Sequence, residues 1–285
     1  MSRLTLPSPA KLNLFLKVVD KRPDGFHNIK TVFERINLCD QIILRTNQNG
    51  KINLTCDHSS LRPLKSNLVF QAACLLKDLH RVKTGVDIRL IKNIPVAAGL
   101  GGGSSNAATT LTGLNRLWSL GLSGSTLMSY GCQLGSDVPF FLAQASWAVG
   151  IQRGDVLRPL NIKKKIWQVL IVPKLKIYSR EVFMRLNLQL TKVTYDVNIL
   201  IQHLKNNNIN KLNNTLSNDL EAGILKTCPK LAHIKKRVSR LMNRRVIFSG
   251  SGPSLFCVAA SRFEAHQLSH RLKRHYSRVY VVDTV

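Results

Sequence analysis

The sequence predicts an α+β fold, and three stretches carry that prediction. Val86-Asp87-Ile88-Arg89-Leu90-Ile91 alternates apolar and charged residues, the period of a half-buried strand. It leads through Pro95-Val96-Ala97-Ala98-Gly99-Leu100-Gly101-Gly102-Gly103-Ser104-Ser105-Asn106 into Ala107, Ala108, Leu111, Leu114 and Leu117, which recur at helical spacing. Toward the C-terminal end, short apolar strands at 246–248, 255–258 and 279–282 have a helical run, Arg262 to about Arg274, between the last two. That alternation suits a small antiparallel sheet with helices on one face. At 285 residues the chain is long enough for two domains or one large one.

Taken in order, residues 3–20 read as a strand. In Ala10-Lys11-Leu12-Asn13-Leu14-Phe15-Leu16 the alternation puts Lys11 and Asn13 on one face, toward a ligand, and Leu12 and Leu14 on the other, where they pack. A lysine there also reads as an ordinary solvent-facing strand residue. Lys21-Arg22-Pro23-Asp24-Gly25-Phe26-His27 is a turn. A strand pair is expected through Ile42-Ile43-Leu44 and Ile52-Asn53-Leu54, then a helix from Leu68 to Leu79. Ser104, Ser105 and Asn106 are the candidates to cap the helix after the glycine loop. Gly131 to Phe141 is a tight polar turn inside apolar flanks, Ser146 to Ile151 a strand, and Val169-Leu170-Ile171-Val172-Pro173 opens a second domain. A mostly helical run follows from Glu181 to about Leu241, with the asparagine-rich stretch Asn206 to Asn214 as a loop or helix junction.

Composition excludes several classes. No apolar run is long enough to span a bilayer, and the first residues lack the apolar core of a signal peptide, so the cytoplasm is the expected location. The six cysteines are scattered, with no C-x-x-C pair, which leaves a zinc site or disulfide framework unsupported. Charge is the outlier: 42 Lys and Arg against 15 Asp and Glu give +27. Such an excess points toward nucleic acid. Yet the basic runs, such as Lys163-Lys164-Lys165 and Lys235-Lys236-Arg237, are short, and aromatics do not interleave with them. A solvated basic surface that favours polyanionic substrates, nucleotides included, is the better reading, with a basic nucleic-acid-binding protein as the alternative and no membrane partner expected.

The loop at 95–106 carries the chemistry. Its glycines let the backbone approach a phosphate closely, with free N–H groups and the positive end of a helix dipole aimed at it. The same composition also serves as a flexible turn without a ligand. There is no G-x-x-x-x-G-K-[ST] and no clean G-x-G-x-x-G followed by an acidic residue, so neither a Walker loop nor a dinucleotide fold is indicated.

Pro-x-x-x-Gly-Leu-Gly-x-x-Ser-Ser, from Pro95 to Ser105, resembles the ATP-phosphate loop of the galactokinase, homoserine kinase, mevalonate kinase and phosphomevalonate kinase (GHMP) superfamily. Pro9-Ala10-Lys11-Leu12-Asn13-Leu14 and Phe248-Ser249-Gly250-Ser251-Gly252-Pro253-Ser254-Leu255-Phe256 are similar to its two other motifs. They come in the expected order, so the resemblance covers nearly the whole chain. Gly135-Ser136-Asp137-Val138-Pro139-Phe140-Phe141, Asp24-Gly25-Phe26-His27 and Asn218-Asp219-Leu220-Glu221 look like the members that act on a cytidyl diphosphate sugar alcohol. The resemblance implies a two-domain GHMP-kinase fold with the active site in the inter-domain cleft. Residues 1–160 would form an N-terminal ATP-binding domain and residues 161–285 a C-terminal substrate-binding domain. The implied reaction is ATP-dependent phosphorylation of the 2-hydroxyl of 4-diphosphocytidyl-2-C-methyl-D-erythritol, on the non-mevalonate route to isopentenyl diphosphate. Monomer and homodimer both stand open.

Phosphoryl transfer needs the phosphates held in line, their charge neutralised and the acceptor hydroxyl deprotonated. By the resemblance, Pro95 to Ser105 hold ATP, and Mg2+ bridges phosphate oxygens with help from Ser104 or Ser105, which the residues do not separate. On its residues alone Asp137 is either a turn carboxylate bonded to its own backbone or a base. The resemblance makes it the base, with Lys11 beside it to stabilise developing charge. Lys92 and Asn67 are implied to line the adenine pocket, and Asn13 the erythritol-diphosphate end. Phe26 and His27 match an aromatic–His pair that stacks on and bonds to cytosine; Phe183 matches a second stacking aromatic, with Ser179 as a polar contact. Both phenylalanines also read as core residues. The 249–252 motif is expected to close the substrate side. Phe26 stands where tyrosine is commoner and loses a hydroxyl. Ala97 and Ala98 stand where some members carry glycine, while Gly99-Leu100-Gly101 is intact.

Overall fold

The computed structural model describes residues 2–58, 61, 64–186 and 196–285. The chain forms two compact units, each discontinuous in sequence. One takes Met1–Ala10, Leu38–Val96 and Gly101–Ala145; the other takes Lys11–Asn37, Ala97–Leu100 and Ser146–Val285.

The first unit receives the start of strand β1 (Arg3–Lys21) and the second half of β2 (His27–Asn47). Then come β3 (Ile52–Cys56), α1 (Leu68–Leu79), β4 (Gly85–Ile91), α2 (Gly102–Leu117), α3 (Gly124–Leu134) and α4 (Val138–Leu142). β4 pairs antiparallel with β2, Ile42 opposite Leu90, and parallel with β3, Leu54 opposite Ile88. The segments expected to pair, Ile42–Leu44 and Ile52–Leu54, are therefore strands but not partners: β4 lies between them. α1 supplies the crossover that a parallel β3–β4 pair requires. Val86, Ile88 and Leu90 are all buried, as the central position demands. α1 turns Val69, Ala72, Ala73 and Leu76 inward, one stripe at helical spacing, over the span its sequence predicts. Gly113 of α2 must be small. A Cβ there would stand 2.5 Å from Leu44 Cδ1 and 2.7 Å from Leu6 Cδ1. The polar turn expected across Gly131 to Phe141 is the end of α3, the three residues Gly135 to Asp137, and α4.

The second unit holds β5 (Trp147–Ile151), β6 (Val156–Pro159), β7 (Trp167–Ile171), α5 (Ser179–Met184), α6 (Val197–Lys205), α7 (Ile209–Thr215), β8 (Ser217–Asn218), α8 (Glu221–Thr227), α9 (Lys230–Met242), β9 (Ile247–Phe248), β10 (Leu255–Ala259), α10 (Arg262–Lys273) and β11 (Val279–Asp283). The helical run expected from Glu181 to Leu241 is broken by β8, and its residues 187–195 lie outside the described residues. Within the asparagine-rich stretch only 206–208 is a junction. Asn208 caps α7 by accepting the Lys211 N–H at 3.1 Å, and the helix continues to Thr215. β5 pairs with the first half of β2, and β8 runs parallel to β1 at Phe15 and Leu16. The C-terminal strands form an antiparallel sheet in the order β11-β7-β10-β9. Val169, Ile171, Leu255, Cys257 and Val279 on one face meet Leu231, Val238 and Met242 of α9 and Ala265, Leu268 and Leu272 of α10. Each such aliphatic side chain contributes about 2 kcal/mol through burial.

A carboxyl group sits deep in this unit. Glu34 of β2 is fully buried. It accepts from Gln168 Nε2 of β7 at 2.6 and 2.7 Å and from Thr284 Oγ1 at 2.6 Å. Burial pushes its pKa up to about 8 against the pull of those bonds, and Asp283 adds a like charge. Among the described residues no helix is long and apolar enough to cross a membrane.

Candidate active site

The loop expected to hold phosphate is built from alternating left-handed residues. Ala97, Gly99 and Gly101 have φ of +54°, +77° and +67°. Glycine adopts this conformation freely; Ala97 carries a Cβ against it, at a cost of about 1–2 kcal/mol. Gly101 opens α2 directly, with no side-chain cap, so Ser104, Ser105 and Asn106 lie inside the helix and not at its cap. The first intrahelical bond runs from Ser105 N–H to Gly101 O at 2.9 Å. The N–H groups of Gly102, Gly103 and Ser104 have no intrahelical acceptor, which is the donor set an anion needs.

In the second unit the loop is locked by backbone contact. A Cβ at Gly99 would fall 2.2 Å from Ser249 O; one at Gly252 would fall 2.2 Å from Ala98 C and Gly99 N. Only hydrogen fits at either position. Ser249 Oγ donates to Gly99 O at 3.1 Å, and Lys11 N–H donates to Leu100 O at 3.0 Å. Asn218 Nδ2 holds the turn from below, donating to Phe248 O at 2.9 Å and Gly250 O at 2.8 Å. The 249–252 motif thus braces residues 98–100. Its Gly250 also adjoins Lys11 and Asn13: a Cβ there would stand 3.1 Å from Asn13 Oδ1 and 3.3 Å from Lys11 Nζ. This covering leaves little of the expected ligand face of β1 exposed. Lys11 and Asn13 are 4% and 2% exposed, almost as buried as Leu12 and Leu14. Lys11 Nζ donates to Asn13 Oδ1 at 2.5 Å and lies 5.5 Å from the Phe33 ring centroid.

In the first unit the two loop serines part. Ser105 is fully buried and bonded to Ser8 Oγ at 2.8 Å. Ser104 is half-buried and close to the turn that carries Asp137; a Cβ at Gly135 would lie 3.9 Å from Ser104 Oγ. Asp137 is half-buried at the start of α4, and its carboxylate does not cap that helix. Behind the loop, buried Asp40 accepts the N–H groups of Asn93 and Ile94 at 2.7 and 2.8 Å and the Asn106 Nδ2 at 2.9 Å. Lys92 Nζ pairs with Asp40 and donates to Asn106 Oδ1 at 3.2 Å. Its ammonium is turned inward, toward Asp40 and Asn106. Asn67 Oδ1 caps α1 by accepting the Val69 N–H at 3.0 Å. The next residue, Leu68, lies 3.7 Å from where a Gly103 Cβ would be, so α1 begins beside the phosphate loop. Among the described residues no three His, Cys, Asp or Glu form a metal-binding group.

The residues expected on the cytidyl side sit in the second unit. His27 and Phe183 stack, ring centroids 5.0 Å apart and planes at 28°. Burial lowers the His27 pKa, Lys21 lowers it further and Asp20 opposes, so the ring is neutral at pH 7 and offers one donor and one acceptor. Ser179 Oγ is 2.6 Å from Ser251 Oγ, which ties α5 to the glycine motif. Phe26 stands apart, exposed, with the Arg153 guanidinium 5.4 Å from its ring centroid. Asp155 accepts from Arg153 Nε at 2.9 Å and fixes that cation. Sequence reasoning missed Arg153, Ser8 and Asp40. An Arg-x-Asp spacing on the Gln152–Asp155 turn is the one local signal that pointed to any of them.

Comparison with known proteins places the chain among named relatives. The family model described as GHMP kinases N terminal domain matches residues 67–144. A Bacillus velezensis protein named 4-diphosphocytidyl-2-C-methyl-D-erythritol kinase is 38% identical over 283 residues, covering 99% of this chain and 97% of that protein. The crystal structure of 4-(cytidine 5'-diphospho)-2C-methyl-D-erythritol kinase superposes with a TM-score of 0.85 at 28% identity, over 99% of this chain and 100% of that one. Homoserine kinase from Cytophaga hutchinsonii shares the fold, with a TM-score of 0.71 at 14% identity over 100% of this chain and 95% of that one.

Proposed function

The chain belongs to the 4-diphosphocytidyl-2-C-methyl-D-erythritol kinases of the GHMP superfamily, and on that premise we propose that it transfers the γ-phosphoryl of ATP to the 2-hydroxyl of that compound. The products are ADP and the 2-phosphate. The observation that carries the reading is the join of Gly99 to Gly252 beside Lys11 and Asn13, which holds the phosphate-loop backbone rigid next to a buried ammonium.

Residues 95–105 bind the ATP phosphates through backbone N–H groups at the start of α2. Asn67 and the Lys92 stem lie on the adenine side. Asp137 takes the proton of the 2-hydroxyl, and Lys11 stabilises the charge that builds on the transferred group. Asn13 meets the erythritol-diphosphate end. Neutral His27 bonds to the cytosine edge, Phe183 and Phe26 offer ring faces, and Ser179 adds a polar contact. Magnesium fits as a partner of ATP: it keeps several waters, binds phosphates and takes few protein oxygens. Ser104, half-buried beside the Asp137 turn, is the serine able to reach it, since Ser105 is held by Ser8. When bound, the ion neutralises phosphate charge.

Coupled ADP release with ATP and magnesium tests this, comparing the cytidyl compound with mevalonate and homoserine. Turnover is expected on the cytidyl compound alone, and abolished in Asp137→Asn and Lys11→Ala with unfolding temperature retained. Turnover only on another alcohol overturns the substrate, and wild-type kcat in either variant overturns that residue's role.

A further inference from the structure

Thr31 lies on β2, fully buried, and the roles assigned above do not include it. Its neighbours allow it one hydrogen-bonding state. A threonine hydroxyl has one proton and can also accept. The proton goes to Phe15 O on β1, at 2.7 Å, and a carbonyl can only accept. Thr31 Oγ1 is left as an acceptor, and Asn13 Nδ2 donates to it at 2.8 Å. That settles which way the Asn13 amide faces. With its NH2 turned to Thr31, its Oδ1 is turned to Lys11 Nζ, 2.5 Å away. The reversed amide would aim N–H donors at an ammonium that has only donors itself. With Asn13 and Lys11 almost wholly buried, bulk water is no substitute for a lost partner.

We infer that Thr31 is a positioning residue: by orienting the Asn13 amide it fixes where the Lys11 ammonium sits beside Gly250. The inference rests on the role proposed for Lys11, and it extends the site one residue beyond those that meet a substrate. Valine matches threonine in shape but lacks the hydroxyl, so Thr31→Val leaves the Asn13 NH2 without its acceptor and frees the amide to turn. Serine keeps the hydroxyl.

Wild type, Thr31→Val and Thr31→Ser are compared by two measurements. The first is NMR of the 15N-labelled Asn13 side-chain amide, which needs no substrate. Its NH2 protons are expected to be protected from exchange in wild type and Thr31→Ser, and unprotected in Thr31→Val. The second is steady-state kinetics with ATP and the cytidyl compound. Misplacing a reacting group by about 1 Å costs on the order of 100-fold, so Thr31→Val is expected to lose about 10- to 100-fold in kcat. Its KM for ATP should hardly move, and Thr31→Ser should stay within a few-fold of wild type. A freely exchanging Asn13 amide in wild type overturns the inference, even if Thr31→Val fails to fold. So does equal kcat in the two variants. A protected amide in a protein inert toward the cytidyl compound refutes the proposed reaction and leaves the chain from Thr31 to Lys11 standing.

Discussion

Replacing Glu34 by Gln isolates the effect of one buried proton. Burial between Gln168 and Thr284 moves the Glu34 pKa from the ordinary 4.5 to about 8. At neutral pH the folded chain therefore keeps a proton that the unfolded chain has lost. Because the folded state binds more protons, its stability falls as pH rises. The fall begins near 4.5, where the unfolded carboxyl titrates, and ends near 8. At about 1.4 kcal/mol per pH unit, the whole window is worth roughly 5 kcal/mol. At about 2 °C per kcal/mol for a chain of this size, that is roughly 10 °C in Tm. Gln carries no titrating proton, so Glu34→Gln loses this slope. Calorimetry on both proteins from pH 5 to 9 measures the difference. The variant's Tm should gain steadily on wild type up to about pH 8 and then level off. Parallel curves would refute the reasoning, since every other titrating group is common to both proteins.

Three further outcomes are expected. Ala97→Gly relieves a Cβ held at φ +54° and should raise stability by about 1 kcal/mol; a lower Tm would show that the Ala97 side chain matters more than its backbone. Gly252→Ala drives a Cβ to 2.2 Å from the Ala98–Gly99 backbone, and should cost about 1–3 kcal/mol and raise the KM for ATP; no change in either means the join is dispensable. Since burial holds the His27 pKa below 6.5, its neutral form persists as the pH falls toward that lowered value. In kcat/KM for the cytidyl compound, the acid limb contributed by His27 should therefore lie below 6.5 and vanish in His27→Asn, and a limb unmoved by that substitution removes His27 from cytosine recognition.

Local pattern made much of this legible. The strand around Lys11, the apolar stripe of Leu68–Leu79 and the glycine loop before α2 are each set by neighbouring residues, and each forms where the residues predict, although Gly250 covers the strand face that carries Lys11 and Asn13. What the sequence hid is decided by distant partners. Ser104 and Ser105 are indistinguishable as neighbours; they differ because Ser8, almost a hundred residues earlier, takes the second. The Ile42–Leu44 and Ile52–Leu54 strands look like a pair until β4 comes between them. The helix cap was hidden because Gly101 supplies it by backbone conformation, which no side chain advertises. Arg153 escaped notice because only folding brings it over Phe26.

The join between Gly99 and Gly252 also sets when a growing chain can assemble the loop proposed to grip nucleotide. The bonded residues Gly99 and Ser249 are 150 positions apart. When the ribosome has released everything through Ala145, all of the first unit's residues are available. At that moment residues 98–100 have no Ser249–Gly252 turn to rest against, and Lys11 has no Gly250 beside it. Both appear only as β9 and β10 emerge. A nascent or prematurely ended chain therefore lacks the braced loop and the seated lysine together.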